Sequence, residues 1–192
     1  MPISEDAKAL TKKNILLAAE RGFRTGGYGG IGVDGISKDA GVTSGAFYAH
    51  YGSKANAFEQ ALIYGLQCVH AKILSLKHQY GTDSVEHFID YYFEDQLHTP
   101  LSQACALPSL SADVARASAN TRKAYEHELA KIANALAASF QGFDEASKHA
   151  KAWALLSILI GGSTMVRAVK NEKLAHTIIK SARAQALDLI SS

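Results

Sequence analysis

Apolar side chains recur every three or four positions over most of this chain, which is the period of one face of an α-helix. No stretch shows the alternation of apolar and polar residues, bounded by turn residues, that is typical of β-strands. The predicted helices span about 11–23, 33–40, 43–51, 54–80, 85–93, 110–117, 120–140, 150–169 and 174–190. The chain is therefore predicted to be all-α, with about nine helices.

The second and third predicted helices are short and are joined by a tight turn. Gly41 follows the last apolar position of the second helix and can take the left-handed conformation that closes a helix. Thr43 or Ser44 can accept the N–H groups at the start of the third helix, on which Phe47 and Tyr51 share one face. Small and hydroxylated residues occupy its other face, so this helix suits the major groove of DNA, which is about 12 Å wide and admits one helix. The pattern predicts a helix-turn-helix.

The last two predicted helices differ from the others. The helix over 150–169 is apolar nearly all round, so either the core of the chain surrounds it or a partner covers one side. The final helix carries an apolar strip with small residues that allow close approach. Two copies of this helix pair could form a symmetric four-helix contact. The predicted dimer interface consists of Leu155, Leu159, Val166, Leu174, Ile178, Ala182 and Ala186.

Composition supports a folded protein and says little about a partner. The chain has 192 residues, of which 47% are hydrophobic, so there is ample material for a core. The formal net charge is only +2. Residues 1–54 hold 7 Lys and Arg against 5 Asp and Glu, whereas residues 55–192 hold 13 of each kind. The small positive excess lies where the helix-turn-helix is predicted, which is compatible with phosphate binding.

The cysteines and the N-terminus indicate a cytoplasmic protein. Cys68 and Cys105 lie too far apart for a zinc knuckle and are too few for a disulfide framework, although a single disulfide stays open. A reducing compartment is the simpler interpretation. The N-terminus has no apolar signal core, and no run of about 18 apolar residues exists that could span a membrane. We therefore expect no membrane partner.

Two motifs suggest enzymes, and neither has the required context. Gly27, Gly29 and Gly32 form a G-x-G-x-x-G, but a helix precedes them instead of a strand, and no acidic residue follows at the expected distance. The sequence around Ser44 has the wrong spacing for a nucleophile elbow. No pair of metal ligands with a supporting acid is present. We expect no catalytic residues, no metal and no cofactor.

The run from Gly41 to Lys54, Gly-Val-Thr-x-Gly-x-Phe-Tyr-x-His-Tyr-x-x-Lys, carries a resemblance to a known family. Residues from about 11 to 58 resemble the DNA-binding domain of the tetracycline-repressor (TetR) family of bacterial transcription regulators. Further matching residues are Ile15, Ala18, Ala19, Gly22, Phe23, Gly27, Tyr28, Val33, Ile36, Ala40, Ser53 and Ala57. The segment ACALPSLSADVARASANTRKAY also resembles a stretch in one branch of these repressors.

The resemblance implies a domain organisation and a mechanism. Residues 8–54 would form the helix-turn-helix domain, continuing into the long fourth helix, and residues 55–192 would form a larger helical ligand-binding and dimerisation domain. The chain would be a homodimeric repressor that a small molecule releases from a near-palindromic DNA operator. A helical DNA-binding or architectural protein without an effector is the alternative. The DNA contacts implied are Thr43, Ser44, Gly45, Ala46, Tyr48, His50 and Lys54.

The effector site is predicted from polar residues on otherwise apolar faces. These candidates are Tyr64, His87, Tyr91, Cys105, Trp153 and Thr164. Cys105, beside a segment broken by proline, is alternatively a sensor of oxidants or electrophiles. Two positions depart from the family pattern: Gly32 stands where a capping Thr or Ser is usual, and Gly35 lies inside the second helix at a cost of up to about 1 kcal/mol relative to Ala.

Overall fold

The computed structural model describes residues 4–191, and within them the chain forms helices and turns and no β-strand. The prediction of an all-α fold is confirmed. The helices are α1 (Glu5–Gly30), α2 (Val33–Asp39), α3 (Ser44–Tyr51), α4 (Lys54–Tyr80), α5 (Ser84–Asp90), α6 (Ala106–Val114), α7 (Ala119–Ala137), α8 (Glu145–Ala168) and α9 (Glu172–Ser191). A π-helical turn (Tyr91–Asp95) and a short helical turn (Gln96–His98) continue α5, and 3₁₀ turns occupy Gly81–Asp83 and Leu101–Gln103.

Helix α1 is longer than the sequence indicates. It starts at Glu5, where the Ser4 side chain accepts the N–H of Ala7. The glycine-rich stretch predicted as a connector is helical as far as Gly27, whose φ of +67° and ψ of 178° break the helix. The next N–H, that of Tyr28, donates to Asp113 Oδ2 at 2.9 Å. The break thus places Tyr28 against a residue far along the chain.

Two other predicted helices begin later than the observed ones. Helix α6 starts at Ala106 rather than near residue 110, because Pro108 lies in the first turn, where a missing N–H breaks no helical bond. Helix α8 starts at Glu145 rather than at residue 150. The Asp144 carboxylate caps it by accepting the N–H of Ser147 at 3.0 Å, so the cap, and not the first apolar residue, sets the start.

By compactness the chain divides into two units. The first unit comprises residues 4–65 and 100–125, and the second comprises residues 66–99 and 126–191. This division reflects which residues are in contact and carries no information on which of them bind DNA or a ligand. The division into a DNA-binding domain that ends at residue 54 and a regulatory domain that follows it therefore stays a prediction.

The core of the first unit is built on aromatic packing and one close helix contact. Phe23 and Phe58 are buried with their rings edge to face, 5.2 Å between centroids. A Cβ added at Gly65 of α4 would lie 2.6 Å from Cβ of Ala106 at the start of α6. The two helices approach this closely only because residue 65 has no side chain.

The second unit is organised by the last two helices. The helix pair α8 and α9 is in close contact at Gly162, where an added Cβ would lie 3.1 Å from Cβ of Ala182 and 3.1 Å from the ring of Phe93. Arg183 of α9 donates to Asp90 Oδ1 of α5 at 2.6 Å. No helix within residues 4–191 is long and apolar enough to cross a membrane.

Candidate nucleic-acid interface

The turn between α2 and α3 has the geometry that the sequence predicts. Gly41 has a φ of +69°, the left-handed conformation that glycine adopts without strain. The N–H of Val42 donates to the Ser37 carbonyl at 2.9 Å, which closes the turn. Of the two predicted caps, Thr43 is the one used: its hydroxyl accepts the N–H of Ala46 at 3.2 Å. Ser44 instead donates its hydroxyl proton to Asp34 Oδ1 at 2.7 Å.

One face of α3 is anchored in the first unit. Phe47 and Tyr51 are 0% and 4% exposed, as the spacing predicted. The phenol of Tyr51 donates to the backbone carbonyl of Lys12 at 2.9 Å. Burial raises the pKa of that phenol, so it stays a neutral donor at physiological pH. These two side chains fix how α3 is rotated about its axis.

The opposite face of α3 is open to solvent. Tyr48 is 52% exposed. Thr43 and Gly45 are exposed, and Ala46 and His50 are half-buried. The predicted contacts on this helix therefore have accessible surface in the described chain. A face that combines hydroxyls, a phenol and small residues can donate to phosphate oxygens and approach base edges closely.

Lys54 lies at the first position of α4, next to this face. Ser53 caps the helix, since its hydroxyl accepts the N–H of Asn56 at 3.1 Å. The ammonium of Lys54 lies 4.6 Å from the ring centroid of Tyr28, a distance at which the ring attracts a cation. Tyr28 thus makes a cation–π contact with Lys54, a role that the sequence analysis did not predict. The position of Tyr28 directly after the helix-breaking Gly27 was the available signal.

Helix α2 is held from two sides although its N-terminus is weak. Gly32 precedes it without a side-chain cap, as the departure from the family pattern predicted. At its C-terminal end Arg21 of α1 donates to Asp39 Oδ2 at 2.8 Å. Together with the bond from Ser44 to Asp34, this ion pair ties α2 to both α1 and α3.

Residues 15–61 match the family model of the bacterial regulatory proteins, tetR family. The match covers α1 from residue 15 onward, α2, α3 and the start of α4. Over these residues the chain is similar to the N-terminal domain of TetR-family regulators. The family is one of regulatory proteins, and the matched residues hold the helix-turn-helix.

Solved structures show the same fold over the whole chain. A TetR transcriptional regulator from Legionella pneumophila superposes with a TM-score of 0.80, at 17% identity over 99% of this chain and all of the other. A TetR-family regulator from Agrobacterium tumefaciens gives 0.77 at 15% identity, covering 93% and 98% of the two chains. The reduced form of Escherichia coli NemR gives 0.76 at 20% identity, covering 94% and 96%. No curated protein sequence matches the chain.

The predicted effector residues fall into both units of the chain. Tyr64 and Cys105 lie in the first unit, and the other four lie in the second. Trp153 is 43% exposed and Thr164 is also exposed, so neither lies on an inner face of the chain. His87 stacks on Tyr80 with centroids 3.6 Å apart. That the six residues form one effector site stays a prediction.

Tyr91 has a polar neighbour and a cationic neighbour. It lies in the π-helical turn that follows α5, and its hydroxyl accepts the amide N–H of Gln96 at 2.9 Å. The ammonium of Lys72 lies 4.7 Å from its ring centroid. Within residues 4–191 no three His, Cys, Asp or Glu side chains cluster in a way that could hold a metal ion.

The predicted dimer residues divide by burial. Leu155, Leu159 and Ala186 are 0% exposed within the single chain, so a partner subunit has no access to them in this conformation. The chain's own core surrounds that face of α8, which was the other interpretation of its apolar sequence. The remaining four, Val166, Leu174, Ile178 and Ala182, retain exposed surface. Ile178 and Ala182 line an apolar groove with Ile158 and Met165.

Proposed function

We propose that the chain is a regulator of the TetR family, a homodimeric repressor that binds a near-palindromic operator and is released from it by a small molecule. The observation that carries the proposal is the orientation of α3. Phe47 and Tyr51 hold one face in the core, and Tyr48 stands 52% exposed on the other. A short helix presented in this way can enter one major groove.

The DNA contacts are assigned to the exposed face and its neighbour. Thr43 caps α3, and Gly45 and Ala46 lie in its first turn, where small side chains allow the backbone to come close to the bases. Tyr48 and His50 donate to phosphate oxygens, and Lys54 supplies a positive charge at the N-terminus of α4. Ser44 contributes a weaker contact, because its hydroxyl proton is already donated to Asp34.

Dimerisation supplies the second recognition helix. Two recognition helices must meet successive major grooves about 34–36 Å apart, which a monomer cannot do. Val166, Leu174, Ile178 and Ala182 are the proposed contacts, since these apolar residues of α8 and α9 retain exposed surface. Leu174 is 49% exposed, and burying such a residue against a partner is favourable.

The experiment that tests DNA binding is selection of bound sequences from random duplex DNA, followed by affinity measurements on the selected operator. Lys54→Gln should weaken binding across sequences and lower the slope of log affinity against log salt by about one. Lys173 is an exposed lysine on α9, so Lys173→Gln is the matched control. It should leave the operator affinity and the salt slope unchanged. Failure to select any palindromic sequence, or equal effects of the two substitutions, would contradict the proposed surface.

The dimer is tested separately by sedimentation. Ile178→Asp places a charge in the apolar groove and should convert a dimer of the wild-type chain to a monomer with weakened operator binding. Lys173→Asp, five positions away on the exposed part of α9, serves as the control for added negative charge. A wild-type chain that sediments as a monomer at micromolar concentration contradicts the proposal.

Release by a small molecule is the finer part of the proposal. A ligand shifts the equilibrium only by its differential affinity for the DNA-bound and released states. A thermal-shift screen of small aromatic compounds and drugs identifies ligands, since a bound ligand raises the stability of the folded chain by mass action. Ligands so found should lower operator affinity. If none does so, the alternative of a DNA-binding protein without an effector is favoured.

A further inference from the structure

A crevice of about 440 Å³ lies within the first unit, between Tyr28, the start of α4 and the turn that joins α6 to α7. Its volume is in the range of small-molecule sites, about 300–1,000 Å³. None of the predicted DNA contacts or effector candidates lines it. It is therefore a separate cavity from every site that the sequence indicates.

One wall of the crevice is a fixed aromatic surface. The rings of Tyr28 and Phe58 meet edge to face with centroids 5.2 Å apart. Phe23 lies behind both of them, fully buried, with its centroid 6.1 Å from that of Tyr28. Ala55 and Ala117 add methyl groups to the lining. This wall offers flat apolar surface to a planar ring.

The other wall is polar, and its side chains differ in how much of their hydrogen-bonding capacity is already used. Both oxygens of Asp113 are engaged: Oδ2 accepts the N–H of Tyr28 at 2.9 Å, and Oδ1 accepts from Arg116 at 3.1 Å. The hydroxyl of Thr121 donates to Glu59 Oε2 at 2.8 Å. Arg116 is different, because its side chain is 72% exposed and a guanidinium has five N–H donors. The crevice thus offers donors from a cation beside an apolar wall.

We propose that this crevice binds a planar aromatic carboxylate, with the ring against Tyr28 and Phe58 and the carboxylate toward Arg116. A guanidinium and a carboxylate match in charge and in their planar, two-pronged geometry. An aromatic amine would instead meet the positive charge of Arg116. A neutral aromatic would fill the apolar part without the charge-assisted bond, and so it binds more weakly.

Binding here has a consequence that rests on the proposed function. Tyr28 lines the crevice, and its ring also contacts Lys54, whose ammonium lies 4.6 Å from the ring centroid. A ring stacked on Tyr28 competes with Lys54 for that phenol face, and the added negative charge opposes phosphate. Ligand binding should therefore weaken operator binding.

The test uses isothermal titration of the full chain with sodium 2-naphthoate and with 2-naphthamide, its neutral counterpart of equal size. Naphthoate should bind about tenfold more tightly than naphthamide, which corresponds to about 1.4 kcal/mol. Arg116→Gln should abolish this preference and leave naphthamide binding unchanged. Arg122→Gln, an exposed arginine on α7, is the matched control and should keep the preference.

Two substitutions fill the crevice independently, so that a folding failure of one leaves the test intact. Ala117→Trp and Ala55→Phe should each abolish binding of both compounds, while thermal melting checks that the variants are folded. Equal binding of the two compounds, wild-type behaviour of Arg116→Gln, or no heat from naphthoate at millimolar concentration overturns the assignment.

Operator affinity separates this inference from the proposed function. Naphthoate should weaken the operator binding of the wild-type chain and not that of a folded crevice-filled variant. If the chain binds its operator but not naphthoate, the crevice assignment fails and DNA binding stands. If naphthoate binds in the crevice and the chain selects no operator, the proposed function fails and the site stands. Binding without any change in operator affinity overturns the coupling through Lys54.

Discussion

The hydroxyl of Ser44 donates to the carboxylate of Asp34 across the turn of the helix-turn-helix, at 2.7 Å. The bond joins the first residue of α3 to the first turn of α2, so it fixes the angle between these helices next to the face proposed to meet DNA. It also puts a negative charge beside that face, which opposes phosphate binding.

Asp34→Asn separates these two effects. The amide oxygen still accepts the Ser44 proton, so the free energy of unfolding should change by less than about 0.5 kcal/mol. Removing the charge should raise operator affinity at low salt, with a smaller gain at high salt because of screening. Urea unfolding and fluorescence anisotropy measure the two quantities.

Ser44→Ala is the companion variant for this pair. It removes the bond and keeps the charge, so it should cost about 0.5–1.5 kcal/mol of stability without any gain in operator affinity. Tighter operator binding by Ser44→Ala, or none by Asp34→Asn, would contradict the electrostatic argument.

Thr43 acts as the cap of α3 as well as a proposed DNA contact. Thr43→Ala removes the acceptor for the N–H of Ala46 and should cost about 1 kcal/mol. Thermal unfolding should show this as a fall in Tm of about 2–4 °C for a chain of this size. Thr43→Ser keeps the hydroxyl and should melt close to the wild type. Equal melting of the alanine and serine variants would show that the cap contributes nothing.

The contact of Gly65 with Ala106 predicts a strong effect from one methyl group. An alanine at position 65 would bring two Cβ atoms to 2.6 Å, and helix backbones carry both, so the helices must move apart. Overpacking of this kind costs about 1–3 kcal/mol. Gly30→Ala, where an added Cβ meets nothing within 4 Å, should stay within about 0.5 kcal/mol. Urea unfolding of both variants makes the comparison.

Glu20 predicts a pH dependence of stability with a defined sign. Burial raises the pKa of this carboxyl above its ordinary value near 4.5, and the paired Arg24 offsets part of the rise. The folded state therefore holds a proton that the unfolded state has lost, and stability falls as pH rises from about 4.5 through the raised pKa. The stability of the wild type relative to Glu20→Gln should decrease over this window in urea titrations.

Glu145 provides the control of opposite sign. A hydrogen bond from Lys148 and the charge of that lysine lower the pKa of its carboxyl. Its contribution is therefore present above about pH 4.5 and lost as the pH falls through the lowered pKa. Relative to Glu145→Gln, the wild type should gain stability with rising pH. Slopes of the same sign for the two glutamine variants would contradict one of the two assignments.

Local features of the fold were predictable from the sequence. The left-handed Gly41, the buried face of Phe47 and Tyr51, and the cap Thr43 each depend on a few neighbouring residues. Helix starts were less predictable where the first turns carry no apolar residue, as at Glu145, or a tolerated proline, as at Pro108.

Contacts between distant residues could not be predicted in this way. The bond from Tyr28 to Asp113 joins positions 85 residues apart, and nothing in local periodicity indicates it. Helix α8 shows a related limit. Its apolar residues surround it, so the sequence did not reveal that Leu155 and Leu159 face the chain's own core whereas Met165 is 53% exposed.

The two thiols of the chain differ in access to reagents. Cys68 on α4 is exposed, Cys105 is buried at 7% exposure, and neither is in a disulfide. A maleimide dye or nitroxide should therefore modify the native polypeptide at a single position, without prior removal of the other sulfur. A homodimer would then carry two symmetry-related probes, and spectroscopy could follow how their separation responds when an operator or a carboxylate is added.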